Sequence, residues 1–204
     1  MVAKKLNQTR IRDTKYALIF CLALVLFTKE MIATNWGEGW HEIFDMLGYL
    51  LVSLCVIGRI YCTAFLGGYK NAELVTHGPF SMSRNPLYFC SFLGACGIAL
   101  MSNHIVLMVA LPLLFCVVYF SLIRREEAYL VTQFGDSYQR YCKTTPRFSP
   151  NFWRYHAPQT VPMYPKYLLN GIKDGLLWFL ALPFFEWVEY LHEAQIIKPI
   201  FTLY

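Results

Sequence analysis

Ile105-Val-Leu-Met-Val-Ala-Leu-Pro-Leu-Leu-Phe-Cys-Val-Val-Tyr-Phe-Ser-Leu-Ile123 is an unbroken apolar run that ends abruptly against Arg124-Arg125-Glu126-Glu127. A helix of this length crosses a hydrocarbon layer of about 30 Å. Upstream, Ser102-Asn103-His104 is a tight connection, and before it Pro86–Met101 is a shorter apolar stretch. Two antiparallel helices joined by a short turn follow from that pattern, with Pro112 expected to kink the second. Working outward, a helix is expected over about Ile43–Tyr61 and another over Tyr16–Ala33. Lys29 and Glu30 lie at the end of that first helix, where they can snorkel or pair. Between the two helices, Asn35-Trp-Gly-Glu-Gly-Trp-His41 reads as a Gly-containing turn with its tryptophans at an interface. A last apolar helix is expected over Gly175–Leu191, interrupted by Pro183. It carries Glu186 and Glu189, and both a spanning and an interfacial placement stay open.

Composition agrees. Of 204 residues, 56% are hydrophobic and 15% charged, and the charges gather between the apolar runs. Soluble domains average about 25% charged residues. The fold class expected is therefore all-α: a polytopic membrane helix bundle of about five helices. It forms one domain over 1–204, with two N-terminal helices in 1–61, a core with the helical hairpin in 62–150, and an interfacial segment and last helix in 151–204. The net charge of +5 lies beside the spans, on Lys4, Lys5, Arg10, Arg12 and Lys15 and again on Arg124, Arg125, Arg140, Lys143 and Arg147. That placement follows the positive-inside rule and speaks against nucleic acid as a partner. It puts the N terminus, the 62–84 loop and the 124–170 region on the cytoplasmic side. The first run lacks a small-residue cleavage site, so no cleaved leader is expected. The cysteines number seven, and Cys21, Cys55, Cys90, Cys96 and Cys116 lie inside apolar runs. No spacing among them suits a metal, and they read as small packing residues.

Two segments have the residues for chemistry. In His77-Gly-Pro-Phe-Ser-Met-Ser-Arg-Asn-Pro-Leu-Tyr88, Gly78-Pro79 makes a turn, Asn85 is a favoured N-cap and Pro86 suits the first helical position. Starting a helix explains that much. Arg84 and Tyr88 beside the cap suggest more: a helix N-terminus suits a carboxylate, and aromatic faces suit a cation such as a sulfonium. The second segment is Arg124–Leu130 with Phe134-Gly-Asp-Ser-Tyr138-Gln-Arg-Tyr141 and Pro146-Arg147-Phe148. Gly135 is expected to stop a helix and Asp136 or Ser137 to start another. Snorkelling explains the arginines, and Glu126 and Glu127 are either solvated, paired with them, or functional.

Gly78-Pro79-Phe80, three residues, then Arg84-Asn85-Pro86-Leu87-Tyr88 resembles the G-P-[YF]-x3-R-H-P-x-Y box of the isoprenylcysteine carboxyl methyltransferase family. Glu126-Glu127-x-x-Leu130, Phe134-Gly135-x-x-Tyr138-x-x-Tyr141 and Pro146-Arg147-Phe148-x-Pro150 resemble its second block, in the same order. The likeness covers roughly residues 70–150. It implies a membrane methyltransferase that uses S-adenosyl-L-methionine in a cytosol-facing pocket. The family's cofactor contacts carry over to Ala72, Glu73, Leu74, Val75, Phe80, Asn85, Pro86, Leu87, Tyr88 and Glu126. Arg84 and Glu126 are the catalytic candidates, and Arg125 and Arg147 the candidates for orienting the substrate. Asn85 departs from the family's His: it can hydrogen-bond but cannot titrate as a base.

The implied acceptor is the carboxylate of a prenylated cysteine or a similar lipidic molecule, met in the membrane. Phospholipid or amine N-methylation is the alternative. A third reading is a non-methylating, non-enzymatic membrane protein that keeps the hairpin for assembly or for another ligand, or a reductase-like binder resembling sterol reductases, whose terminal R-H-P-x-Y block serves a nicotinamide cofactor. This chain lacks their long series of preceding helices.

Overall fold

A computed structural model describes residues 38–69 and 72–196. The helix expected over Tyr16–Ala33, the roles given to Lys29 and Glu30, and Trp36 lie outside those residues. Among the described residues every regular element is helical.

Helix α1 runs Glu38–Leu66, longer at both ends than Ile43–Tyr61. The stretch expected as a turn is already helical at Glu38, and a His41–Asp45 pair one turn apart (3.0 Å) steadies its start. At the other end the inward face simply continues, through buried Cys62, Ala64 and Phe65. A one-turn helix α2 (Pro79–Met82) precedes α3 (Pro86–Met101), whose bounds are those expected from sequence. The Ser102–His104 turn closes tightly. Asn103 takes a left-handed backbone (φ 50°), is 2% exposed, and donates to the Asp45 carboxylate on α1 at 3.0 Å.

Helix α4 (Ile105–Thr144) does not end at Ile123. Its residues before the Gly135 break alone amount to roughly 45 Å, half as much again as the hydrocarbon thickness, so the apolar part crosses and the charged part continues outside. Its non-helical backbone is at Gly135 (φ 51°, ψ −128°), where a stop and restart were expected, while Pro112 keeps helical geometry. Then comes an irregular strap with a single 3-10 turn at Phe152–Arg154. Helix α5 (Pro165–Leu176) passes through a 3-10 turn (Leu177–Leu180) into α6 (Ala181–Glu193). The last helix thus starts at Pro165 rather than Gly175. Gly171 and Gly175 lie against Thr63 and Val56 of α1, so the polar residues of α5 are held helical by close packing. The interruption expected at Pro183 is the 3-10 turn over Leu177–Leu180, which holds Phe179, the residue four before Pro183 whose carbonyl a proline cannot pair.

The helices pack as membrane helices do, by close approach of small residues. At the α1–α3 crossing, a Cβ on Gly97 would meet the Gly48 carbonyl oxygen at 2.6 Å, and one on Gly48 would meet the Gly97 oxygen at 2.7 Å. The exterior is apolar: Met46, Leu50, Ile57, Val109, Leu113 and Val117 are exposed. Helical segments Gly39–Leu66, Ile105–Thr144 and Pro165–Val188 are each long and apolar enough to cross a membrane, and the protein is an integral membrane helix bundle. In its hairpin, Pro86 of α3 and the charged part of α4 share one end, and the 102–104 turn lies at the other.

Candidate active site

At the end of the bundle where α3 begins, the strap after α4 runs back along residues 78–84. Gly78 N–H donates to the His156 carbonyl (2.7 Å), Asn151 N–H to Met82 (2.9 Å) and Arg84 N–H to Pro146 (2.9 Å). Ser83 Oγ adds a bond to the Phe148 carbonyl at 2.9 Å. The Gly135 break turns the end of α4 onto the same segment, where the Tyr141 hydroxyl donates to the Phe80 carbonyl at 2.6 Å. Burial pushes the Tyr138 and Tyr141 phenols up in pKa, so both stay neutral donors. Polar backbone that would otherwise be unpaired beside the membrane is satisfied by this pairing.

The strap delivers Arg147 and the 78–84 segment delivers Arg84 to one carboxylate. Glu127, 7% exposed, accepts from Arg84 Nη1 (3.2 Å) through Oε1 and from Arg147 Nε (2.9 Å) through Oε2. Asn85 Nδ2 also donates to Glu127 Oε1 (3.2 Å) and to the Arg147 carbonyl (3.0 Å). Asn85 stands at the N-cap position of α3, but its side chain does not cap the helix; Ser83 Oγ accepts from the Asn85 N–H instead. The cap role expected for Asn85 has been exchanged for a link between α3, α4 and the strap.

Two cavities meet at Arg147. A cleft of about 690 Å3 is lined by Arg84, Arg124, Glu127, Tyr138, Cys142 and Arg147, among others. An apolar pocket of about 360 Å3 lies along α4 between Phe115, Tyr119, Ile123, Arg147 and Phe148. Two guanidinium groups against one carboxylate leave the cluster with a surplus positive charge. Arg84 Nη1 also donates to Cys142 Sγ at 3.0 Å, while its Nε is buried without a partner. A buried donor left over beside an open cleft suits an anion.

The sequence candidates fall into three groups. Arg84, Asn85 and Arg147 come together in the cluster. Val75 and Phe80 are buried against Ala64 and Phe65, Pro86 is buried, Leu74 and Leu87 are half-buried, and Tyr88 packs on the Tyr119 ring at 5.5 Å. Ala72, Glu73 and Arg125 are exposed and Glu126 is half-buried; none of these four lines either cavity. The carboxylate between the arginines is Glu127. The signal for it was present: Tyr119, Ile123 and Glu127 follow at four-residue spacing, so the inward stripe of the span continues to Glu127. Nothing in spacing marked Cys142 or Arg124 as lining residues.

For S-adenosyl-L-methionine, the leftover Arg84 Nε suits its carboxylate, and the Tyr119 ring, packed on Tyr88 and lining the apolar pocket, is the kind of aromatic face that suits a sulfonium. Among the described residues, no three His, Cys, Asp or Glu side chains gather to hold a metal ion.

A family model described as phospholipid methyltransferase matches residues 46–137. The cobalt-zinc-cadmium resistance protein CzcN of Cupriavidus metallidurans is 32% identical, over 97% of this chain and 90% of its own. The nickel-cobalt-cadmium resistance protein NccN of Alcaligenes xylosoxydans is 32% identical over 73% of this chain and 70% of its own. The protein-S-isoprenylcysteine O-methyltransferase of Schizosaccharomyces pombe is 36% identical over 40% of this chain and 34% of its own. No solved structure matches.

Proposed function

The chain belongs to the membrane methyltransferase family of the isoprenylcysteine and phospholipid enzymes, and from that premise we propose that it methylates the carboxylate of a lipidic acceptor with S-adenosyl-L-methionine. One observation supports the acceptor class above the others: the Arg84–Glu127–Arg147 cluster sets two guanidinium groups against one carboxylate on the wall of the cleft, which leaves a surplus positive charge. An isolated carboxylate has a pKa near 4 and arrives ionised.

What the cofactor supplies when bound is an electrophilic methyl group on a sulfonium. The chain's own groups hold and orient. Arg84 and Arg147 fix an anionic acceptor, Glu127 keeps the two guanidinium groups at a set spacing, and Asn85 ties that carboxylate to the start of α3. In the transfer an acceptor oxygen gains the methyl carbon as the carbon–sulfur bond breaks, and no proton moves. Positioning and exclusion of water therefore suffice. Asn85 in place of a histidine is no handicap in such a reaction. An amine acceptor would have to lose a proton first, and Glu127 has both oxygens engaged by donors. This weighs against the N-methylating alternative. The apolar pocket that shares Arg147 with the cleft suits the acceptor's hydrocarbon part. From the resemblance we retain Glu126 and the Ala72–Val75 segment as cofactor contacts, and a cytoplasmic placement of this end.

Two relatives bear metal-resistance names. We carry that over as a setting in which a membrane constituent is methylated, since a guanidinium-rich cluster repels a metal cation. The test uses purified chain in detergent. S-Adenosylhomocysteine is expected to bind by calorimetry, and labelled methyl should appear in a base-labile ester. Base-stable label would replace the carboxylate reading with the amine one, and absence of binding by folded protein would end both.

A further inference from the structure

The strap turns its largest apolar side chains outward. In its 3-10 turn, Trp153 is 99% exposed and Phe152 is 70% exposed, so the described residues cover little of either. Single apolar side chains on a surface need no explanation. Two large aromatics side by side at the tip of one turn, with exposed Tyr155 just after them, do.

Depth shows what meets this tip. On α1, Met46, Leu50, Leu54, Ile57 and Tyr61 are exposed at helical spacing and form a stripe toward lipid. Tyr61 ends the stripe, and its hydroxyl is hydrogen-bonded to that of Tyr155. About 20 residues cross the hydrocarbon, and centred on Gly39–Leu66 they end near Tyr61. The strap therefore reaches the lipid-facing side of α1 at the headgroup–acyl boundary, the level at which Trp and Tyr collect.

The backbone of the turn points the same way. Trp153 N–H donates to Asn151 Oδ1 (3.2 Å), Arg154 N–H to the Asn151 carbonyl (3.1 Å) and Tyr155 N–H to the Phe152 carbonyl (3.1 Å). His156 N–H donates to Ser81 Oγ (3.1 Å), and His156 Nδ1–H to the Arg154 carbonyl (3.1 Å). A loop in water has no need to pair successive N–H groups inside the chain, whereas one at the edge of an apolar layer does. The Asn151–Met82 and Gly78–His156 bonds hold both ends, so the turn meets lipid already in shape.

We propose that Phe152, Trp153 and Tyr155 form a membrane anchor, inserted at the headgroup–acyl boundary of the bilayer that the chain spans. Arg154, exposed among them, supplies a cation to the phosphate layer. The anchor holds down the strap, and with it Arg147 and Phe148, where the two cavities meet. It is independent of what the chain methylates.

The test uses full chain in nanodiscs of phosphatidylcholine, with either plain or brominated acyl chains. The emission lost on Trp153→Phe is that of Trp153. It is expected to be blue-shifted, to be mostly quenched by the brominated chains, and to be little affected by aqueous iodide. Trypsin cleavage after Arg154, read by mass, should be several-fold faster in Phe152→Ser, Trp153→Ser than in the parent. Far-ultraviolet circular dichroism reports that each variant is folded. Should Trp153→Phe disturb the fold, Phe152→Trp adds an indole at the neighbouring position, and its added emission has to meet the same criteria. Emission that iodide quenches and brominated lipid does not touch overturns the proposal and leaves the turn to a protein partner.

Discussion

Replacing Glu127 with alanine removes the acceptor of three donors at once: Arg84 Nη1, Arg147 Nε and Asn85 Nδ2. The two arginines do not suffer equally. The Arg147 side chain is 41% exposed and can turn into water, so its loss is within about 1 kcal/mol. Arg84, 12% exposed, keeps only its bond to Cys142 and stays as a buried charge; stranding it costs about 3 kcal/mol. Glu127→Gln keeps the shape and an accepting oxygen, and loses about 1–2 kcal/mol. Glu126→Gln, on the half-buried neighbour, should stay within about 0.5 kcal/mol. Unfolding in detergent by heat or denaturant gives the ranking. The Arg84→Ala, Glu127→Ala double variant should lose less than the sum of the singles, because each single strands the other's partner. If Glu126→Gln proves as damaging as Glu127→Gln, or if the double loss is additive, the cluster does not hold the site as described.

Other substitutions test other parts of the description. Gly97→Val drives side-chain carbon into the Gly48 carbonyl and should cost about 1–3 kcal/mol or more, read as an earlier thermal transition in micelles. Gly135→Ala meets no atom within 4 Å, so its loss of about 1–3 kcal/mol would come from backbone strain alone; Gly135→Asn should lose as much, because ψ −128° lies outside the left-handed helical region that asparagine tolerates. Asn85→Asp sets a second carboxylate against Glu127 and should weaken S-adenosylhomocysteine binding more than Asn85→Ala does, by calorimetry. Methyl transfer to the carboxylate acceptor should persist in Asn85→Ala at a reduced rate, since no proton is taken there; complete loss with cofactor binding intact would contradict the positioning role.

The hairpin was legible in residues because its causes are local. Pro86 opens α3, Ser102–His104 closes the turn, and Gly135 breaks α4 where only glycine accepts that backbone. Fold class and family were legible for a related reason: run lengths and two motif blocks survive without tertiary information. The ends of α1 and α5 were not. Their extensions depend on partners elsewhere in the chain, Asp45 with Asn103 in one case and Thr63 with Gly171 in the other. The choice between Glu126 and Glu127 turned on helical phase, which sequence gave through Tyr119 and Ile123 but the motif obscured. Least legible was the strap. A Pro-rich stretch with no periodicity pairs its backbone with residues 78–84, and no single-residue propensity encodes such a partner.

The Gly135 break also sets the height at which the site works. Continued straight, residues 124–144 would form a rod standing roughly 30 Å off the bilayer, carrying Tyr138 and Tyr141 out into water. Turned back at Gly135, they reach Arg84 and Phe80 instead. Glu127 lies one helical turn beyond Ile123, or about 6 Å, which is about the depth of a headgroup layer. An amphiphile reaching the cluster from the bilayer keeps its tail in hydrocarbon and its charged end at its ordinary level, so the energy of drawing it out of the membrane is not added to the barrier for reaction.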